Sequence, residues 1–439
     1  MQVKFKGQQL LVNKIIFVSP DKSITHRAII LGSIANGVSF VHNYLNSQDC
    51  LATLQVMRQL GVVVEKTATT LTINGKGLNS LTEPNDVLNS KNSGTTMRLV
   101  SGILAAQQFM SVITGDFSLN NRPMNRIIRP LNEMGARVHG KDKNKKAPLC
   151  ILPTKGLKAG EFSPSVASAQ VKSCLLLAGL YANGTTKINE KAITRNHTEN
   201  MLRAMGATLS ISGKTISLKG KQELKAINIS VPGDFSTASY FIALALCSNN
   251  SELTIKNVGI NDTRIGLLNV LIRMGAKIEV FNEHLSNNEK IADLKIYSSK
   301  LQPITVLNTE IATLIDEVPL LAVIASHIEG ITVIKAVEEL KNKESNRLIA
   351  IITELSKIGV NIYTENNDLY INGNESLINQ NNMYTFEHYH DHRIAMSMAI
   401  CALTHRLKAH INNAEIVNIS SPSFWQALRD LASITMEVY

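Results

Sequence analysis

A segment that reads as a helix, ending in an apolar residue, glycine, then alanine or valine, recurs five times along this 439-residue chain. The instances are Leu60-Gly61-Val62, Met134-Gly135-Ala136, Met205-Gly206-Ala207, Met274-Gly275-Ala276 and Ile358-Gly359-Val360, their glycines 74, 71, 69 and 84 residues apart. Such a period is the signature of a chain built from copies of one supersecondary unit. Each glycine suits the position just past a helix end, where a positive φ carries no Cβ penalty. The sequence after it alternates apolar and polar around turn residues, as from Ala207 to Leu218, which predicts a β-hairpin.

A second helix, rich in small and apolar residues, recurs near the same period. Its six beginnings are Asp21-Lys22-Ser23, Asn92-Ser93-Gly94-Thr95, Ser168-Ala169-Gln170, Gly233-Asp234-Phe235-Ser236, Asp316-Glu317-Val318-Pro319 and His390-Asp391-His392-Arg393. A helix apolar all round is buried, so its polar first turn must face something polar. The chain therefore reads as six units of two helices and about four strands. Three units of about 70 residues make a domain near the upper end of the usual size. Two such domains facing each other would aim six positive helix ends into one cleft, which suits a heavily anionic ligand set.

The chemistry collects at those helix starts. Asp21 is a candidate N-cap, with Lys22 and Ser23 in the first turn and Arg27 four residues beyond Ser23 on the same face. Free backbone N–H groups, an ammonium, a hydroxyl and a guanidinium suit phosphate; a capped surface helix is the bland alternative. Gly94 lets a ligand approach the backbone, and Arg98, on an otherwise apolar helix, needs a partner. Pro123 fits a first helical position, which puts Arg122 at the cap of the helix ending at Met134. Ser168 and Gln170 offer neutral donors and acceptors. Asp316 and Glu317 precede an apolar run, where a carboxylate is either an N-cap or a general base. Lys343 and Arg347 are co-facial at the start of what reads as another apolar helix, with Glu344 beside them, although a capping box or a solvated charge run fits too.

Bulk properties narrow the partners. A net charge of +10 implies acidic ones, nucleic acid or small anions. Only 5% of residues are aromatic, poor material for stacking on single strands. The five cysteines are scattered with no CxxC spacing, against disulfides and structural zinc. Three histidines spaced by two (His388, His390, His392) lack a companion ligand set, so neither metal nor cofactor is expected. Nothing reads as a signal peptide or a membrane span, which predicts a cytoplasmic protein.

With these residues assembled, the chain resembles the 5-enolpyruvylshikimate-3-phosphate synthase family nearly end to end. The matching pieces are DKSITHRA (21–28), NSGTTMR (92–98), GDFSLNNRPMNR (115–126), SAQVKS (168–173), VPGDFS (231–236), LIDEVP (314–319), KESNR (343–347) and HDHRIAM (390–396). The resemblance implies a two-domain inside-out α/β barrel fold of the α/β (α+β) class, three units per domain. Residues 21–235 would form domain 1, mainly on the shikimate 3-phosphate side. Residues 1–20 plus 236–439 would form domain 2, with phosphoenolpyruvate-side arginines and the catalytic aspartate. It implies transfer of the enolpyruvyl group of phosphoenolpyruvate to the 5-hydroxyl of shikimate 3-phosphate. A monomer without cofactor or membrane is expected, and arginines at the starts of buried helices favour a closed cleft over nucleic-acid binding. By matching motif, Lys22, Ser23, Arg27, Ser168, Gln170, Asp316 and Lys343 would bind shikimate 3-phosphate. Lys22, Gly94, Arg122, Gln170, Arg347 and Arg393 would bind phosphoenolpyruvate, and Asp316, Glu344 and Lys22 would be catalytic. The chain departs from the family at Pro20, where glycine is usual, at Ala169 and at Asn346. It also has Ile419 where one branch of the family carries a lysine. The rival acceptor, UDP-N-acetylglucosamine, belongs to a sister transferase that relies on a loop cysteine; no cysteine lies between Cys50 and Cys150.

Overall fold

The computed structural model describes residues 1–7, 12–374, 376, 378–431 and 437–438. Among these residues, twelve helices of at least eight residues follow one another: α1 (Lys22–Ser33), α2 (Gln48–Gln59), α3 (Gly94–Leu104), α4 (Asn125–Glu133), α5 (Ala169–Gly179), α6 (His197–Ala204), α7 (Phe235–Leu246), α8 (Gly266–Arg273), α9 (Val318–Ser326), α10 (Arg347–Lys357), α11 (His392–Thr404) and α12 (Phe424–Leu431). They alternate in kind. The odd-numbered helices are the apolar ones, and every residue of α7, α9 and α11 is buried. The even-numbered helices bury one face; α4 buries only Ile127, Ile128 and Leu131. Five of them end at the repeated glycines, whose φ angles of 87° to 94° are those glycine adopts without strain. Because α10 ends at Gly359, it is one of these half-exposed helices and not the apolar kind its first turn suggested.

Among the described residues six four-stranded sheets accompany the helices, and five have one plan that ends in a hairpin; in the sixth the outer pair is Val3–Lys6 with Glu437–Val438. In the first, Asn228–Ser230 pairs in parallel with Asn36–His42, which pairs antiparallel with Thr70–Lys76, itself the hairpin partner of Val63–Lys66. The short parallel strand normally precedes an inner helix and the next strand follows it, as with Leu88–Asn89 and Ser111–Thr114 around α3. Two of these pairings are exchanged. Asn13–Phe17 precedes α1 yet pairs with Glu252–Gly259, which follows α7. Asn228–Ser230 precedes α7 yet pairs with Asn36–His42, which follows α1. The exchange occurs where the chain passes from one compact unit to the other.

Those units are Pro20–Val231 with Leu285–Glu289, here the central unit, and Met1–Ser19 with Pro232–His284 and Lys290–Tyr439, the flanking unit. The sequence reading drew its boundaries after residues 20 and 235, and nothing in it marked Leu285–Glu289. Each unit has its own apolar cluster built from three inner helices and the inward faces of its sheets. The fold class that the resemblance implies is the one observed: α/β, with apolar helices inside and sheets outside in each unit. Of the five unbridged cysteines, Cys50, Cys174 and Cys401 are buried.

Close approach of inner helices depends on small residues. A Cβ added at Gly102 in α3 would sit 2.2 Å from the carbonyl oxygen of Cys174 in α5. Backbone cannot yield there as a side-chain tip could. Gly102→Ala is therefore expected to destabilise the protein by about 1–3 kcal/mol in urea denaturation. An unchanged midpoint would contradict this packing.

Candidate active site

In the central unit, the first turns of α1, α3 and α5 are stitched together by side chains. Asp21 caps α1, accepting from the Ile24 N–H at 2.7 Å. This leaves Lys22 in the first turn, where its Nζ meets Asp49 Oδ2 of α2 at 3.1 Å. Arg27 is buried and donates from Nε to Thr198 Oγ1 (2.7 Å), from Nη2 to Ser173 Oγ (2.9 Å) and from Nη1 to the Ser23 carbonyl (3.0 Å). Ser173 lies on α5 and Thr198 on α6, so Arg27 ties three helices to neutral oxygens. Ser93 caps α3 and Ser168 caps α5. Between those caps, Arg98 donates to Gln170 Oε1 at 2.5 Å, while Gln170 Nε2 donates to Thr95 Oγ1 at 3.0 Å. A Cβ at Gly94 would lie 3.0 Å from Arg98 Nη1 and 3.2 Å from Arg122 Nη1. Two guanidiniums thus converge on Gly94, a buried residue with no side chain of its own.

In the flanking unit, Arg347 is the hub. Only 1% exposed, it donates from Nε to Asp391 Oδ2 (2.7 Å), from Nη1 to Asp316 Oδ1 (3.1 Å) and from Nη2 to Glu344 Oε2 (2.5 Å). Lys343 Nζ joins it on Asp316 Oδ1 at 3.2 Å. Arg393 donates to the Asp316 carbonyl (3.1 Å), to Glu317 Oε1 (3.1 Å) and to Ser236 Oγ (3.0 Å). Arg264 then grips the buried Glu317 carboxylate with both terminal nitrogens, at 2.9 and 3.1 Å. Asp316 is no helix cap: Glu317 holds that position at α9 and makes no side-chain cap bond.

The two units stabilise charge differently. Burial alone would depress the Arg347 guanidinium, but Asp391, Glu344 and Asp316 outweigh it and raise it above its ordinary value. Arg393 is raised the same way against burial by Asp316 and Glu317. Arg27 is pulled down to about 10, because burial outweighs the more distant Glu199. Beside it, burial, Lys22 and Arg27 keep His26 well below the usual imidazole range.

The sequence-expected residues therefore fall into two groups. Lys22, Ser23, Arg27, Gly94, Arg122, Ser168 and Gln170 belong to the central unit, and Asp316, Lys343, Glu344, Arg347 and Arg393 to the flanking unit. Arg122 is a correction: α4 begins at Asn125 with Met124 at the cap, because the Met124 N–H bonds the Lys145 carbonyl at 2.7 Å. Arg122 lies ahead of the helix and donates to Asn92 Oδ1 at 3.0 Å. Sequence reasoning missed the counter-charges and braces: Asp49, Ser173, Thr198, Ser236, Arg264 and the role of Asp391. A charge beside a polar first turn was their only local mark, shared with many surface residues.

Comparison with known proteins covers the whole chain. A family model described as EPSP synthase (3-phosphoshikimate 1-carboxyvinyltransferase) matches residues 7–428. A 3-phosphoshikimate 1-carboxyvinyltransferase of Petrotoga mobilis is 45% identical over 425 residues, 96% of this chain and 98% of its own. The structure of EPSP synthase from Acinetobacter baumannii superposes with a TM-score of 0.87 at 37% identity, covering 100% of this chain and 99% of that one. The enolpyruvyl transferase NikO of Streptomyces tendae shares the fold, with a TM-score of 0.79 at 15% identity over 100% of this chain and 99% of its own.

Asp391 gives the flanking group a signature in acid. Burial would raise its carboxyl, but Arg347 overrides this and holds it below the usual carboxylate range. A depressed folded value means stability that is present above the unfolded value, near 4, and lost as pH falls through the folded one. Asp391→Asn should cost about 3–5 kcal/mol at neutral pH by leaving Arg347 under-compensated. Its stability should also fall less steeply than wild type below about pH 4. Urea melts between neutrality and acid would show this, and parallel profiles would refute it.

Proposed function

This chain belongs to the EPSP synthase family, and from that membership we propose how its two groups of residues divide one reaction. The reaction carries the enolpyruvyl group of phosphoenolpyruvate to the 5-hydroxyl of shikimate 3-phosphate and releases phosphate, a step toward chorismate and the aromatic amino acids. Relatives that cover the chain end to end carry that activity in their names, which leaves the UDP-amino sugar acceptor unsupported.

The observation that carries the assignment of roles is Asp316, a carboxylate with Lys343, Arg347 and Arg393 all within 4.0 Å. Such a carboxylate stays ionised while partly withdrawn from water, as a base must. Asp316 takes the proton of the 5-hydroxyl as its oxygen attacks C2 of the enolpyruvate. Glu344 and Lys22 handle the proton added to, and later removed from, the methylene carbon. Collapse of the tetrahedral adduct then expels phosphate. Lys22, Ser23, Arg27, Ser168, Gln170, Asp316 and Lys343 hold shikimate 3-phosphate. Lys22, Gly94, Arg122, Gln170, Arg347 and Arg393 hold phosphoenolpyruvate, their cations offsetting charge that grows in the intermediate. The meeting of Arg98 and Arg122 beside Gly94 supports the anion site.

The same reading makes the partners small anions and not nucleic acid, since the arginines concerned are buried and braced. It takes the protein as a cytoplasmic monomer. Among the described residues no helix is long and apolar enough to cross a membrane.

Phosphate release should require shikimate 3-phosphate and phosphoenolpyruvate together; none with both, or equal release with UDP-N-acetylglucosamine, would overturn the assignment. Asp316→Ala should lower kcat by a factor of about 100 or more while the protein stays folded by circular dichroism. Near-normal turnover would remove Asp316 from the role of base. Arg347→Lys should raise KM for phosphoenolpyruvate roughly tenfold, because an ammonium cannot reproduce the forked contact.

A further inference from the structure

A carboxylate that the reaction does not use lies buried at the far end of α10. Glu354 is fully enclosed, with 0% of its side chain exposed. Its Oε2 accepts from Lys357 Nζ at 2.7 Å and from the Glu387 N–H at 3.1 Å. Its Oε1 accepts from the Tyr389 hydroxyl at 2.6 Å. Two of these three donors belong to the turn Glu387–Asp391, which leads into α11. That turn is held against its own preference, since Tyr389 and His390 take φ angles of 51° and 56°, left-handed values unfavourable for residues with a Cβ. The turn is also bonded within itself: the His390 N–H meets His388 Nδ1 at 3.0 Å and the Asp391 N–H meets the His388 carbonyl at 2.8 Å.

The turn delivers Asp391. From the cap of α11 its carboxylate accepts from Arg347 Nε at 2.7 Å, from Ser345 Oγ at 3.2 Å and from the Arg393 N–H at 2.9 Å. One carboxylate thus sets the plane of the Arg347 guanidinium and the start of the helix that bears Arg393. We propose that Glu354, seven residues beyond Arg347 on the same helix face, is a positioning residue that holds the Glu387–Asp391 turn and through it aligns Arg347 and Arg393. A helix and a strained turn are fastened at both ends, Asp391 near the reacting groups and Glu354 two helical turns away. Burial and the bond to Glu354 also push the Tyr389 phenol up to about 12, which keeps it a donor throughout the working range.

The proposal rests on the reading that Arg347 and Arg393 bind phosphoenolpyruvate, so Arg347→Lys is measured alongside. Glu354→Gln keeps the volume but puts a donor where an acceptor is needed. It should raise KM for phosphoenolpyruvate about tenfold, with a smaller fall in kcat. Tyr389→Phe removes one hydroxyl from a residue 37% exposed, so it will fold even where Glu354→Gln does not. It should raise the same KM about threefold, and the double variant should be no worse than Glu354→Gln alone, as for two groups acting through one bond. A merely structural role would lower the melting temperature and leave KM in place. If Arg347→Lys raises KM for phosphoenolpyruvate and both turn variants leave it unchanged, the positioning role is wrong and the substrate assignment stands. An unchanged KM in Arg347→Lys would overturn the assignment and the proposal with it.

Discussion

A guanidinium taken out of water must bring its counter-charge, and the flanking unit is arranged around that requirement. Arg347 is 1% exposed and touches three carboxylates, from the residue three before it, from the approach to α9 and from the cap of α11. Burying it without them would cost several kcal/mol per ion. With them, the starts of α9, α10 and α11 are fixed relative to one another by contacts near 3 Å. The same carboxylates order the cations around them. Asp316 cannot be where Arg347 needs it without also being within reach of Lys343 and Arg393.

The central unit meets the requirement by another route. The recorded bonds of Arg27 all go to neutral oxygens, two hydroxyls and a carbonyl. A buried cation with neutral partners keeps more of its field for an external anion, and the cost is visible in its depressed proton affinity. Lys22 lies between these extremes, with one carboxylate, Asp49, on the next helix.

What the sequence made legible is what is local. Caps such as Asp21, Ser93 and Asp391 act within three residues, the glycine past each outer helix acts on the turn it ends, and the hairpins follow from alternation over a few residues. The misread cap at Arg122 shows the limit. Pro123 carried the right signal, but a bond from Met124 to Lys145 delays the helix, and that partner comes from the far side of a hairpin. The counter-charges were invisible for the same reason: Arg264 and Glu317 are 53 residues apart, and Ser236 and Glu317 are 81 apart. Nor does any local pattern reveal that Asn13–Phe17 and Asn228–Ser230 exchange parallel partners.

The flanking network also bears on how a proton could be handled. Its hydrogen bonds join four cations, Arg264, Lys343, Arg347 and Arg393, to four carboxylates, Asp316, Glu317, Glu344 and Asp391. With Asp234 Oδ1 3.8 Å from Arg264, the cations have no excess over the carboxylates before any anion arrives. Where the family often has aspartate, Asn346 caps α10 through its amide oxygen, 3.3 Å from the Ile349 N–H, and so adds no further negative charge. On the proposed reading, a phosphate entering such a network makes it net negative, and a net negative site raises the proton affinity of its carboxylates. Asp391 and Glu317 are held by buried arginines and Asp316 by three cations. Glu344, 22% exposed and bound by one nitrogen of Arg347, is the member water can most readily reach. On that reading, substrate charge would favour a proton on Glu344, one of the two groups proposed to serve the enolpyruvyl methylene.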